Sequence, residues 1–228
     1  MIVKRSNSAK NKKPAKSAAP VKGNRPYNST RRAAATDETR ARIVAAARTL
    51  LGGGEGLPAF SLDGVARHAG VTRLTVYNQF ESKLGLLEAV FDDVAQRGGL
   101  FTDLPAVFAE RDANVALRRL VSVFCRFWGR HDSMMPTFHA VIKLDEEIAA
   151  ALKRRSERRR QILTVLVERL MPGAGKANAD LVDVLFALSS FEMFEALSVR
   201  NRSLKSVEAI IQTLVEQAVQ QFSNRRGE

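Results

Sequence analysis

Residues 60–91 read FSLDGVARHAGVTRLTVYNQFESKLGLLEAVF, and this stretch decides the fold. Two short helical patterns meet in a tight turn at Ala69-Gly70-Val71, and a third helix follows. Gly70 takes positive φ without steric cost, which a sharp corner between helices demands. Before the corner, Ser61 offers an N-cap oxygen, and Leu62, Val65, Ala66 and Ala69 repeat at helical spacing. After it, Thr72 offers the next N-cap, and Val76 and Phe80 make one buried face. Helix, short turn with glycine and second helix are the pattern of a helix-turn-helix, whose partner is duplex DNA.

The second helix has a matching outward face. With 100° per residue and Val76 and Phe80 turned inward, Leu74, Tyr77 and Asn78 point away, and Arg73 and Thr75 flank them. An ordinary solvated helix would carry Lys or Glu there. Arg can bond guanine O6 and N7, Asn can bond adenine N6 and N7, and an apolar chain can meet a thymine methyl. The hydroxyls of Tyr77 and Thr75 suit phosphate oxygens, as do the amides near Thr72. The expected DNA-binding set is Ser61, Thr72, Arg73, Leu74, Thr75, Tyr77, Asn78 and Lys83.

At these residues the chain resembles the TetR family of bacterial transcription regulators. The resemblance runs through Ala69-Gly70-Val71-Thr72, Val76-Tyr77-Asn78-Gln79-Phe80 and Lys83, and covers about residues 38–95. Two positions depart from the family's habit: Gln79 stands where His is commoner, and Leu74 where a small residue is frequent. Both touch the sequence read and leave the fold expectation intact. The resemblance implies an all-α chain of about nine helices. An N-terminal three-helix DNA-binding domain would precede a C-terminal helical domain for ligand binding and dimerisation. It further implies that Lys83 contacts phosphate.

Charge is distributed unevenly. Of 36 Lys and Arg, ten lie in residues 1–36, which hold no acid; the remainder carries 26 basic and 24 acidic residues. Lys4, Arg5, Lys10, Lys12, Lys13, Lys16, Lys22, Arg25, Arg31 and Arg32 thus account for nearly all of the net charge of +12. This segment has almost no bulky apolar groups and is predicted to be a disordered basic tail, whose cations would gain counterion-release free energy on DNA. The lone Cys125 excludes an intrachain disulfide. No 18-residue apolar run calls for a membrane span, and no apolar h-region calls for a secretory signal. The expected location is cytoplasmic and nucleoid-associated.

The expected division is a tail at 1–36, a DNA-binding domain at 37–97 and a ligand-binding and dimerisation domain at 98–228. The first helix should start near Asp37 and Glu38, with Ile43, Ala46, Ala47, Leu50 and Leu51 inward. After Gly98-Gly99, a loop or short helix spans 100–111. Helices follow at about 113–129, 136–143, 145–170, 177–199 and 204–222. The last two are apolar around much of their circumference: Phe186, Ser190, Phe194 and Leu197 make one stripe, and Val207, Ile210, Ile211, Leu214, Val215, Ala218 and Phe222 another. Core packing explains part of this. The resemblance implies that the rest is a homodimer interface, a four-helix bundle.

The resemblance also implies a small-molecule inducer bound in the middle helices, which Phe124, Phe127, Trp128, Met134, Met135 and Phe138 would line, though any one aromatic also suits a plain core. Arg155 and Arg159 share a stripe with Ile148, Leu152, Ile162 and Leu166, so an arginine should approach the interior. It would pair with Glu192 or Glu195, or meet an anionic ligand. Cys125, His131 and His139 have no metal-ligand spacing, and no cofactor is expected. Nucleophile elbow, phosphate loop, dinucleotide fingerprint and zinc signature are all missing, which speaks against an enzyme. The sequence therefore predicts a dimeric, ligand-responsive repressor acting on a palindromic operator. The alternative is a non-specific architectural DNA-binding protein with a basic tail, for which the 120-residue helical remainder would serve no purpose.

Overall fold

The computed structural model describes residues 27–53, 60–131, 133–173 and 175–224. Among the described residues there are eleven α-helices and no strand. They are α1 (Tyr27–Gly52), α2 (Leu62–Ala69), α3 (Arg73–Phe80), α4 (Lys83–Arg97), α5 (Leu100–Ala109), α6 (Ala113–His131), α7 (Met135–Leu144), α8 (Glu146–Leu170), α9 (Lys176–Leu188), α10 (Phe191–Leu197) and α11 (Leu204–Asn224).

Two expectations need correction. Helix α1 starts at Tyr27, ten residues before Asp37. It begins directly after Pro26, and Arg31-Arg32-Ala33-Ala34-Ala35 are strong helix formers with nothing to stop them. The rest of the basic tail, residues 1–26, lies outside the described residues. Of the loop or short helix expected at 100–111, the structure has the short helix, which keeps Pro105 in its second turn. Finally, the single helix expected at 177–199 is two. Ser190 leaves the helical path with extended backbone, and its Oγ accepts from the Met193 amide at 3.2 Å to start α10. This split and the added α5 raise nine helices to eleven.

From Glu38 onward the chain packs as one unit. Its buried apolar cluster runs from Ile43, Ala47 and Leu51 on α1 through Val65, Val76, Leu86 and Val90 to Leu120, Leu166, Leu181 and Val207. The five α1 residues expected to face inward are all buried. Asp93 of α4 ties this framework together. It pairs with Arg48 of α1 and, at 2.8 Å, with Arg97.

The last helices divide their apolar faces. Val207, Ile211 and Val215 of α11 are buried, whereas Ile210, Leu214, Ala218 and Phe222 are half-buried. In the preceding stripe Phe194 is buried. Val184, Val199 and Leu204 are exposed apolar side chains at this end of the protein.

Candidate DNA-reading helix and internal cavity

The corner at Gly70 is a Schellman turn. Gly70 has φ 65° and ψ 37°, its amide donates to the Arg67 carbonyl at 3.2 Å, and the Val71 amide donates to the Ala66 carbonyl at 3.0 Å. Side-chain caps fix the helices on either side. Ser61 Oγ accepts from the Gly64 amide at 3.0 Å, Thr72 Oγ1 from the Thr75 amide at 3.1 Å, and Ser82 Oγ from the Gly85 amide at 3.0 Å. Such a cap contributes about 1 kcal/mol, so three successive helices are held in register by local chemistry.

This fixes what α3 presents. Val76 and Phe80 are buried; Thr72, Arg73, Leu74, Tyr77 and Asn78 are exposed, and Thr75 is half-buried. Leu74 is 65% exposed and Tyr77 55%. Arg40 of α1 anchors the far end of the helix: its guanidinium lies 4.3 Å from the Phe80 ring centroid and donates to the Gln79 carbonyl at 2.6 Å.

Two groups of the expected set are already engaged. Arg73 pairs with Asp63 of α2 at 3.1 Å, a partner that sequence reading did not find. The Lys83 ammonium sits 5.6 Å over the Phe60 ring, which holds it at the start of α4. The Ser61 and Thr72 oxygens each accept one bond within their caps, and Thr72 Oγ1 also shares a hydrogen bond with Thr75 Oγ1 at 2.8 Å.

A second feature lies in the middle of the helical remainder. A cavity of about 630 Å³ is bounded by α4, α5, α6, α7, α8 and α9 and by the start of α10. Phe124, Phe127, Trp128, Met135, Phe138, Arg155 and Arg159 of the expected set line it. Met134 does not. It is buried toward the end of α1, where a Cβ on Gly52 would stand 3.2 Å from its Cγ. Adjacent residues at a helix start face different ways, so the two methionines part. Phe186 and Ser190, read as part of an apolar stripe split between core and dimer interface, also line the cavity.

The walls are aromatic and charged, with several Lys and Arg and the acids Glu157 and Glu192. Phe91 and Phe138 stack at 4.2 Å, Phe127 meets Trp128 edge-on at 4.7 Å, and Trp128 meets Phe191 at 5.8 Å. Phe127 also pins the end of α4, since a Cβ on Gly98 would collide with its ring. The break between α9 and α10 leaves the Ser189 carbonyl to accept from the Trp128 indole at 3.0 Å and from the Arg159 guanidinium. Arg159 is 9% exposed and lies 4.2 Å from the Phe186 centroid. Burial pushes its guanidinium down to about 10, while Glu192 works in the opposite direction. Arg155 pairs instead with Asp92 of α4.

Cys125 is buried, and burial pushes its thiol up to about 12, so it is an inert core residue. His131 is lowered from its ordinary value, first by burial and then by Arg130 and Arg48. The His139 side chain lies outside the described residues. Among the described residues no three His, Cys, Asp or Glu stand together as metal ligands, and no helix is long and apolar enough to cross a membrane.

Comparison with known proteins bears on both features. Residues 43–90 match the model of the bacterial regulatory proteins of the tetR family. Over 58 residues the chain is 48% identical to an uncharacterised HTH-type transcriptional regulator, TtgW, from Pseudomonas putida. That stretch is 25% of this chain and 42% of that relative. Among solved structures, a transcriptional regulator from Rhodococcus sp. Rha1 superposes with TM-score 0.62 at 17% identity, over 79% of this chain and 96% of its own. A TetR-like transcriptional regulator from Rhodococcus sp. RHA1 gives 0.58 at 16% identity, over 79% and 95%. These low identities speak to the fold, and they extend it across the cavity-bearing helices. The capped helix-turn-helix at 62–80 lies within the stretch that matches the tetR family, and the helical fold around it is similar to that of TetR-like regulators.

Proposed function

We propose that the chain is a ligand-responsive transcriptional repressor that binds a palindromic operator as a homodimer and lets go when a small molecule fills its cavity. The observation that carries this reading is the outward face of α3. Arg73, Leu74, Tyr77 and Asn78 are solvent-exposed on a helix capped at its start and anchored by two buried side chains. That combination offers donors, an acceptor and an apolar tip to base edges in the major groove. The residues assigned to DNA are Ser61, Thr72, Arg73, Leu74, Thr75, Tyr77, Asn78 and Lys83.

The partner subunit is a second copy of the chain, joined through α9 and α11. Half-buried Ile210, Leu214 and Phe222 and exposed Val184 supply the apolar surface for it. The cavity has the volume of a site for a drug-sized molecule. It touches α4, whose first residue, Lys83, follows α3 after two residues, so occupancy of the cavity has a short route to the reading helix. The protein works in the cytoplasm, on the nucleoid.

Selection of bound sites from random DNA tests this. Inverted half-sites are expected, with centres about 34–36 Å apart or somewhat more. Binding without sequence preference would favour the architectural alternative, in which the basic tail coats DNA.

A further inference from the structure

Two guanidinium groups rise from one face of α8 into the cavity, Arg155 and Arg159, one turn apart. Each lies over aromatic rings: Arg155 is 5.4 Å from the Phe91 centroid, and Arg159 is 4.2 Å from Phe186 and 5.6 Å from Phe124. Like charges at this spacing repel. Burial already works against the charge on Arg159, whose neighbours are the Ser189 carbonyl and the field of Glu192. The next residue, Arg160, is occupied by Glu157 and Asp183. Arg155 is different, because its partner Asp92 is 61% exposed whereas its own side chain is 23% exposed. Asp92 can return to water at little cost, while Arg155 can swing further over the cavity. Phe, Trp, Met and Leu make much of the remaining wall and suit an apolar body, while Lys153, Arg158 and Arg160 stand against the acids Glu157 and Glu192 along its edge.

We propose that the effector is an organic anion with an apolar body, and that its acid group is received between Arg155 and Arg159, drawing Arg155 away from Asp92 on α4. The proposal rests on the cavity being the effector site. The exchange removes an ion pair between α8 and α4 and hands the guanidinium to the ligand, so the ligand's charge is the signal. Two charge-assisted, bidentate-capable donors facing one carboxylate in an apolar site favour an anion over its neutral analogue. By linkage, an anion that weakens DNA binding must itself bind DNA-free protein more tightly.

The test uses the full chain and two probe skeletons, biphenyl and decyl, each as carboxylate, primary alcohol and amine. Binding is measured by calorimetry, and operator affinity by fluorescence anisotropy with and without saturating probe. At least one skeleton should bind as carboxylate ten-fold or more tighter than as alcohol. Arg155→Met and Arg159→Met should each lower the carboxylate toward the alcohol without weakening the alcohol. Asp92→Asn should bind the carboxylate as tightly as the parent chain or more so, yet the carboxylate should change its operator affinity less than twofold. Alcohols or amines binding as well as carboxylates would overturn the anion while leaving the cavity as an effector site. Binding of no probe at all would sink both. Full coupling retained in Asp92→Asn would refute the route through α4. Should Arg159→Met not fold, Arg155→Met and Asp92→Asn decide, since both positions reach solvent.

Discussion

Replacing Arg73 by Ala separates reading from folding. In the free protein the Arg73 guanidinium pairs with Asp63 at 3.1 Å, with the two side chains 66% and 54% exposed. An ion pair this wet contributes about 0–1 kcal/mol, most of it screened by salt. For a chain of this size that corresponds to a melting shift of no more than about 2–4 °C. On DNA the same side chain should bond a guanine edge, a contact worth about 1–3 kcal/mol against the wrong base. Per half-site the loss is then about 5- to 160-fold in affinity. Preference should relax at one position of each half-site and nowhere else. Anisotropy titrations against the selected operator, its single-position variants and random DNA measure this, with melting curves alongside. Asp63→Asn sharpens the test. It frees the guanidinium and removes a carboxylate facing phosphates, so random-DNA affinity should rise more than operator affinity. A uniform loss across all sequences in Arg73→Ala, or a melting drop well beyond the ion-pair range, would refute the reasoning.

Other outcomes follow from the same geometry. Lys83→Ala should weaken all DNA sequences alike and lower the salt slope by about one unit per subunit, because a phosphate contact releases counterions but reads no base; titrations across a salt series show this. Deleting residues 1–26 removes eight cations and should weaken operator and random DNA by similar factors, most at low salt; loss of operator preference would instead mean that the segment reads sequence. His131 is disfavoured as a cation in the folded state, first by burial. The unfolded chain therefore binds its proton first as pH falls below about 6.5. Stability attributable to this side chain is intact above that pH and lost below it. Urea midpoints between pH 8 and 5 should fall less steeply in His131→Gln than in the parent.

The helix-turn-helix was legible because its signals are local. Gly70 marks the left-handed corner, Ser61 and Thr72 mark the starts of the two helices, and Val76 and Phe80 at helical spacing mark the buried face. What escaped involves partners from different elements. Asp63 and Arg73 are ten residues apart on separate helices, and nothing in either segment names the other. Asp92 and Arg155 are 63 residues apart. The break at Ser189-Ser190 lies inside an apolar run, where periodicity continues straight through. Only the structure gives the freed carbonyl that gathers Trp128 and Arg159. An arginine approaching the interior was foreseen from the stripe; both Arg155 and Arg159 line the cavity, with Arg159 the more buried and Arg155 paired with Asp92 of α4. Register divides Met134 from Met135.

The most direct measurement of sequence reading by α3 is the ratio of operator to random-DNA affinity at physiological salt, taken for the parent chain and for Asn78→Ala. The predicted ratio is about 10³ or more for the parent. For the variant it should be several-fold lower, with random-DNA binding unchanged. A parent ratio near one, or a variant that loses operator and random binding equally, would contradict sequence reading by this helix.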